Sequence, residues 1–154
     1  MTQAPHTPAE PLCHEEQLLL RAVAGSMIPA SPGLGLPGAD EPAIFADILA
    51  VAGRDPVSVR EPLRLLQELS GGAFAALDAA RQAAVAAVFR VRYPDPFLFL
   101  VNITTRCYYR DDRVMRSLGM EPRPPFPLGF EVEQGDWTLL DPVRARGPIF
   151  RDAP

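Results

Sequence analysis

Apolar residues recur at helical spacing over the first 120 positions of the chain. In residues 12–28, Leu19, Val23 and Met27 lie four positions apart beside a second such row, which predicts a helix with one buried face. Comparable patterns predict five further helices. They run from Asp40 to Gly53, from Glu61 and Pro62 to Ser70, over residues 73–92, from Asp95 and Pro96 through Cys107, and from Asp111 or Asp112 to Gly119.

The predicted helix ends follow from capping chemistry. Cys13 occupies the first cap position with Glu16 three residues later, where the carboxylate can reach back to the cap N–H. Asp40 and Asp95 are the expected caps of the second and fifth helices. The alanines of residues 73–92 favour helix strongly, and we expect them to fill close contacts between helices. The predicted fold is an all-α bundle of five to six helices.

The pattern divides the chain into three parts. Residues 1–11 are polar and proline-broken, and we expect them to be disordered; residues 12–120 form the helical domain. Residues 121–154 are rich in proline and have no helical period, so we expect an extended tail. The tail carries too many apolar groups to be freely solvated, which predicts that it packs on the bundle or on a partner.

Composition removes several classes of function. The formal net charge is -4, which argues against nucleic acid as a partner. The longest apolar runs are far shorter than the ~20 residues of a membrane span, so we expect no direct membrane insertion. No export signal is visible in the first residues.

Few residues carry candidate chemistry. His6 and His14 both lie near the N-terminus, and Cys13 and Cys107 form no CxxC pair, so we predict no catalytic residue, no metal site and no cofactor site in this chain. Cys107 is expected to be buried. A cluster of acidic residues in the last third is expected to serve mainly as caps and turn residues: Asp111, Asp112, Glu131, Glu133, Asp136 and Asp141.

Aromatic and leucine side chains late in the sequence are the candidates for a partner interface. The tyrosine pair at the end of the fifth helix either anchors a segment against the core or contacts a ligand. An indole in a proline-rich tail is equally suited to the core and to an interface. The candidate interface residues are Tyr108, Tyr109, Phe126, Phe130, Trp137, Leu139 and Leu140.

Two stretches together resemble the gluconate 2-dehydrogenase subunit 3 family over roughly residues 12–119. The first stretch is Ser26, Met27, Ile28 and Pro29, followed by a Pro/Gly loop and a helix with Ile44, Phe45 and Ile48. The second is Phe97, Leu98 and Leu100, leading to Cys107, Tyr108, Tyr109, Arg110, Asp111, Asp112, Arg113 and Val114 and closing at Leu118 and Gly119.

The resemblance implies a non-catalytic small subunit. In that family such subunits stabilise, and often help to export, a large flavoprotein of the glucose-methanol-choline type that holds FAD and oxidises sugars or alcohols. A cytochrome subunit often receives the electrons. Because this chain shows no twin-arginine signal, the resemblance implies a cytoplasmic complex, or a periplasmic one if the partner carries the signal.

A second hypothesis belongs to a different class. A self-sufficient helical domain can bind a small molecule in a cleft, with or without an activity of its own. Its expected polar groups are Arg106, Arg110, Tyr109 and Asp136.

Overall fold

The computed structural model describes residues 10–124, 126–131 and 134–147. The chain divides into two units, Met1–Pro122 and Arg123–Pro154. Within the described residues the first unit contains six α-helices and no strand, which confirms the predicted all-α bundle. The helices are α1 His14–Met27, α2 Pro42–Ala52, α3 Pro56–Leu69, α4 Ala79–Arg92, α5 Pro94–Tyr108 and α6 Asp112–Ser117.

Helix α5 is the centre of the first unit and packs against α2, α3 and α4. Its buried face is formed by Leu100, Ile103, Thr104, Cys107 and Tyr108. The predicted face of α1 is largely confirmed, since its buried residues are Leu19, Leu20, Val23 and Ala24, with Met27 and Ile28 half-buried. Cys107 is buried as expected, and burial raises the pKa of its thiol.

Helix α2 begins at a different cap from the predicted one. The Glu41 carboxylate accepts from the backbone N–H of Ala43 at 3.1 Å, and Pro42 occupies the first helical position. Asp40 was wrong as the cap; its backbone carbonyl instead accepts from Arg21 Nε at 2.9 Å. The cap of α1 agrees with the prediction, because Cys13 N–H donates to Glu16 Oε2 at 2.7 Å.

Helix α3 begins six residues earlier than predicted. Asp55 caps it through Ser58 N–H at 3.2 Å, and Pro56 takes the first helical position. Pro62, predicted at the entry, is buried inside the helix. The prediction placed Pro62 at the helix start, where a proline needs no N–H partner. In the structure its ring packs into the core inside the helix, and the missing N–H is tolerated there.

The predicted helix over residues 73–92 is two elements. A short 3-10 turn, Phe74–Ala76, precedes α4, and the backbone is extended at Leu77 and Asp78. Asp78 then caps α4 through Arg81 N–H at 2.9 Å. The prediction of one continuous helix was wrong, because the alanines favour helix on both sides of the break and Asp78 starts a new helix there.

The alanines of α4 do not fill close contacts as expected. Phe89 is the one fully buried residue of this helix, and Val88 is half exposed. Most of the alanines face solvent: Ala79, Ala80, Ala83, Ala84 and Ala87.

Helices α4 and α5 meet at a single residue. Tyr93 ends α4 and also precedes Pro94, the first residue of α5, so this helix starts before the predicted Asp95 cap. The φ angle of Pro94 is already helical, and no side chain is needed as a cap. Asp95 lies in the first turn instead. Helix α6 matches its prediction, since Asp111 caps it and Gly119 follows it with a φ of +73°.

The loop between α1 and α2 is a small hairpin. Ser31 and Leu36 exchange two backbone hydrogen bonds, of 3.0 and 3.1 Å, around a turn in which Gly35 has a φ of +65°. The hydroxyl of the buried Tyr108 donates to the Pro37 carbonyl at 3.1 Å. This bond ties the loop to the end of α5.

The second unit contains two helical turns where an extended tail was predicted. Trp137–Leu140 is a 3-10 turn, and α7 covers Asp141–Arg144 directly after it. Asp136 caps the 3-10 turn through Thr138 N–H at 3.0 Å. Every described residue from 126 to 147 is exposed, so this stretch has no core of its own.

Candidate functional site

A groove in the first unit lies between α1, α4 and α5 and has a volume of about 1080 Å³. Leu18 and Ile28 mark its extent along α1, and Ala79 and Arg90 mark its extent along α4. Phe97, Val101 and Thr105, one turn apart on α5, also line it.

Small side chains create this groove. Helix α1 contributes Ala22 and Gly25, and α4 contributes Ala79, Ala83 and Ala86. Alanine and glycine project little beyond the helix backbone, so the space between the two helices is not filled by side chains. The surface is therefore mainly apolar.

Three charged residues line the groove. Arg21 is held by its bond to the Asp40 carbonyl, with its guanidinium 5.7 Å from the centre of the Phe45 ring. Arg90 forms no ion pair among the described residues, and the Asp40 carboxylate accepts no hydrogen bond there. Among the described residues, Arg21 and Arg90 are thus cations without an ion pair in this groove, and Asp40 is a carboxylate without one.

A smaller hollow of about 510 Å³ lies between the start of α1 and α3. Arg60 Nε contacts Glu16 Oε1 at 2.8 Å in its wall, and the exposed Cys13 thiol lies beside them. Burial would raise the pKa of Glu16, but the hydrogen bonds from Arg60 and Cys13 N–H outweigh burial and lower it. The ion pair between Arg60 and Glu16 is therefore a contact that holds α1 to α3.

The two tyrosines at the end of α5 differ in burial. Tyr108 is buried, and its hydroxyl is used in the bond to Pro37, whereas Tyr109 is more than half exposed. The two rings meet edge to face at 5.4 Å. Tyr108 therefore anchors the loop between α1 and α2, while Tyr109 is accessible to another molecule.

The interface candidates of the second unit are all exposed. Phe126 and Leu139 are 85% and 74% exposed, and Trp137 is 61% exposed with its indole N–H 3.4 Å from Gln134 Oε1. Phe130 and Leu140 are exposed to a smaller degree. Leu128, which was not among the predicted interface residues, is 81% exposed and belongs to the same set.

The polar groups expected for a small-molecule site do not line the groove. Arg110 pairs with Asp47 at 3.0 Å, Arg106 is exposed on α5, and Tyr109 lies at the end of the same helix. Asp136 belongs to the second unit, where it caps a helical turn. The groove could not be predicted from the sequence, because alanines that leave space and alanines that fill contacts look alike along a chain.

Four of the acidic residues of the last third act as caps or pair with a nearby arginine, and Glu131 is exposed. Asp111 and Asp136 are caps, and Asp112 and Asp141 pair with arginines three or four residues later. Glu133 lies outside the described residues. Within the described ranges, no three His, Cys, Asp or Glu side chains are placed to hold a metal ion.

Comparison with known proteins gives no relative. No family model, no curated protein and no solved structure matches this chain. Among the described residues, no helix has the length and apolar character needed to cross a membrane.

Proposed function

We propose that this chain is a non-catalytic small subunit that binds and stabilises a large FAD-dependent dehydrogenase of the glucose-methanol-choline type. The observation that carries the proposal is the set of exposed apolar side chains in residues 126–140. Its members are Phe126, Leu128, Phe130, Trp137, Leu139 and Leu140, hereafter the apolar tail set.

The energy available from the apolar tail set is large for so short a segment. Covering one large apolar side chain contributes about 1.5–3 kcal/mol. Six such side chains within fifteen residues, with none buried, form the kind of surface that is typical of an interface and rare on a solitary monomer. Tryptophan, here Trp137, is among the side chains most often responsible for binding energy at protein interfaces.

The chemical identity of the partner comes from the resemblance described above. It rests on the tyrosine pair with the acidic turn after it, and on the closing Leu118 and Gly119. FAD, the substrate pocket and any cytochrome belong to other chains in this proposal. The complex works in the cytoplasm, or in the periplasm if the large subunit carries the export signal.

Affinity purification of the tagged chain from the cells that naturally make it tests the proposal. We expect a larger protein to purify with it and the eluate to show flavin absorbance. Trp137→Ser combined with Leu139→Ser should abolish this co-purification. Leu34→Ser is the matched control, because Leu34 is exposed to the same 74% as Leu139 but lies on the first unit.

A colourless chain that elutes alone and stays soluble would contradict the proposal. The same outcome would favour the hypothesis of a small-molecule-binding domain. Flavin that co-purifies equally with the double tail variant would show that the apolar tail set is not the interface.

A further inference from the structure

The described residues between 123 and 130, hereafter the Arg123 loop, form a loop that the side chain of Arg123 closes. Arg123 Nη2 donates to the Gly129 carbonyl at 2.7 Å, and the Arg123 guanidinium lies 4.7 Å from the centre of the Phe130 ring. Gly129 has a φ of +68°, which a glycine adopts without strain. One side chain therefore holds the two ends of the loop together.

The tip of the Arg123 loop is a turn at residues 126–128. Phe126 and Leu128 lie in this turn and are 85% and 81% exposed, whereas Phe130, under the guanidinium, is 46% exposed. Pro127 stands between the two exposed side chains, and its ring restricts the backbone there. The loop thus presents two apolar side chains outwards on a backbone that is held at its base.

The tip carries no charge. Between Arg123 and Glu131 the sequence contains no charged residue. Covering Phe126 and Leu128 therefore removes apolar surface from water and leaves no charge of the loop to be desolvated. A convex, uncharged tip of this kind fits a concave pocket with apolar walls.

We propose that the Arg123 loop inserts Phe126 and Leu128 together into an apolar pocket on the surface of the large subunit. Arg123 is a positioning residue in this contact, since it holds the loop in shape and the two side chains at the tip fill the pocket. This inference rests on the proposed function, because the large subunit supplies the pocket.

Closure of the loop before binding strengthens the contact. A free segment must be ordered when it binds, and the lost conformational entropy opposes binding. A loop that is already closed by Arg123 loses less of that entropy. Removal of the Arg123 side chain should therefore weaken binding even though Phe126 and Leu128 remain in place.

Charge favours a protein pocket over a lipid surface as the occupant. Segments that bind membranes through exposed apolar side chains are typically rich in Lys and Arg, which are attracted to anionic lipids. Residues 123–147 contain three arginines and four acidic residues, which is a formal net charge of -1. This segment therefore lacks the positive charge that would hold it at an anionic membrane.

The first measurement is the order of the loop in the isolated full chain. Heteronuclear NOE values at the amides of Phe126, Leu128 and Phe130 report motion on the ps–ns timescale. We expect values well above those of a disordered segment, a clear fall in Arg123→Gln, and no change in Arg146→Gln. Arg146 is the matched control, because it is an exposed arginine of the same unit outside the loop. Values of a disordered segment in the unmodified chain overturn the proposal.

The second measurement is the Kd of the complex with the large subunit, obtained by diluting the complex purified from cells and separating bound from free chain. Arg123→Gln should raise the Kd about 10-fold, and Arg146→Gln should leave it unchanged. Phe126→Ser combined with Leu128→Ser should raise it about 100-fold, because the side chains that fill the pocket are gone. Adding Arg123→Gln to this double variant should have no further effect, since Arg123 acts through the two side chains. A further 10-fold loss there would show that Arg123 itself contacts the partner, and would overturn its positioning role.

Failure of this proposal and failure of the proposed function give different results. If no flavoprotein purifies with the chain, both are overturned. If a flavoprotein does purify and its Kd is the same for the unmodified chain, Arg123→Gln and the double variant, the small-subunit function stands and insertion of the loop is overturned. Binding of the isolated chain to phosphatidylcholine–phosphatidylglycerol vesicles, lost in the double variant, would assign the tip to a lipid surface and overturn the pocket.

Discussion

Thr104 carries the one buried side-chain oxygen in the described part of the chain that has no hydrogen-bond partner. The residue lies on the buried face of α5 beside Leu100 and Cys107. Burying a hydroxyl without a partner costs about 1–3 kcal/mol. Such a group weakens the core that the rest of α5 stabilises.

Thr104→Val should therefore raise the free energy of unfolding by about 1 kcal/mol, because it keeps the shape and removes the unpaired hydroxyl. Urea denaturation measures the change. Thr105→Val is the control: the Thr105 hydroxyl donates to the Val101 carbonyl at 2.8 Å, so no gain is expected there. A loss of stability in Thr104→Val would contradict the account of an unpaired hydroxyl.

Tyr108 differs from its neighbour in what its hydroxyl does. Tyr108→Phe removes the bond to Pro37 and should lower the free energy of unfolding by about 1 kcal/mol. Tyr109→Phe changes an exposed ring and should have no measurable effect. Equal effects of the two substitutions in thermal denaturation would show that the loop is not anchored by Tyr108.

Arg113 links two helix caps and makes stability depend on pH. It donates to both oxygens of Asp111 and to Glu41 Oε2, at 2.9–3.0 Å. The hydrogen bond from Arg113 is the main reason that the pKa of Asp111 and the pKa of Glu41 lie below their ordinary values.

Because these two carboxyl groups have lower pKa values in the folded state, their contribution is present above the unfolded pKa values of about 4. It is lost as pH falls through the folded pKa values. We expect stability to fall with acidification below about pH 4. Asp111→Asn should reduce this dependence, and Arg113→Gln should reduce it further, because Arg113 serves both groups. An unchanged pH profile in Arg113→Gln would contradict this assignment.

At the scale of elements, substitutions at two aspartates test the observed helix starts against the predicted ones. Asp78→Ala should cost about 1 kcal/mol, because Asp78 caps α4. Asp95→Ala should cost only a few tenths, since Asp95 lies in the first turn of α5 and affects the helix dipole alone. Chemical denaturation measures the loss in free energy of unfolding for each variant. A larger loss in Asp95→Ala than in Asp78→Ala would contradict the observed helix starts and support Asp95 as the cap of α5.

Helix existence could be predicted from the apolar period, while several helix boundaries could not. The period of Leu63, Leu66 and Leu69 indicates α3, but Pro62 was assigned to its start, because a proline at a first turn and a proline packed in a helix interior look the same in a single sequence. Strong alanine propensity likewise hid the break at Leu77. These errors arise where tertiary packing overrides a local preference.

The candidate sites were predicted to different extents. The apolar character of Trp137 and Leu139 is visible in the sequence, and the structure adds that they are exposed. The groove between α1 and α4 was not predicted, because it depends on how far apart two helices lie. That distance is fixed by side chains distributed over the whole unit, such as Phe74 and Phe89.

At the scale of the whole molecule, the exposed apolar side chains are distributed unevenly between the two units. The apolar tail set lies in the second unit, whose described residues from 126 to 147 are all exposed, whereas the buried core lies in the first unit. Substitutions in the apolar tail set should therefore change binding to a partner without lowering the stability of the helical bundle.

Oxidative footprinting of Trp137 shows directly whether a larger protein covers the apolar tail set, because Trp137 is the only tryptophan in the chain. The labelling rate is compared between the isolated chain and the complex purified from cells, with the peptide that contains Leu34 as an internal reference. We expect Trp137 to label readily in the isolated chain and several-fold more slowly in a flavin-containing complex, with the labelling of Leu34 unchanged. Equal labelling of Trp137 in both states would contradict this expectation.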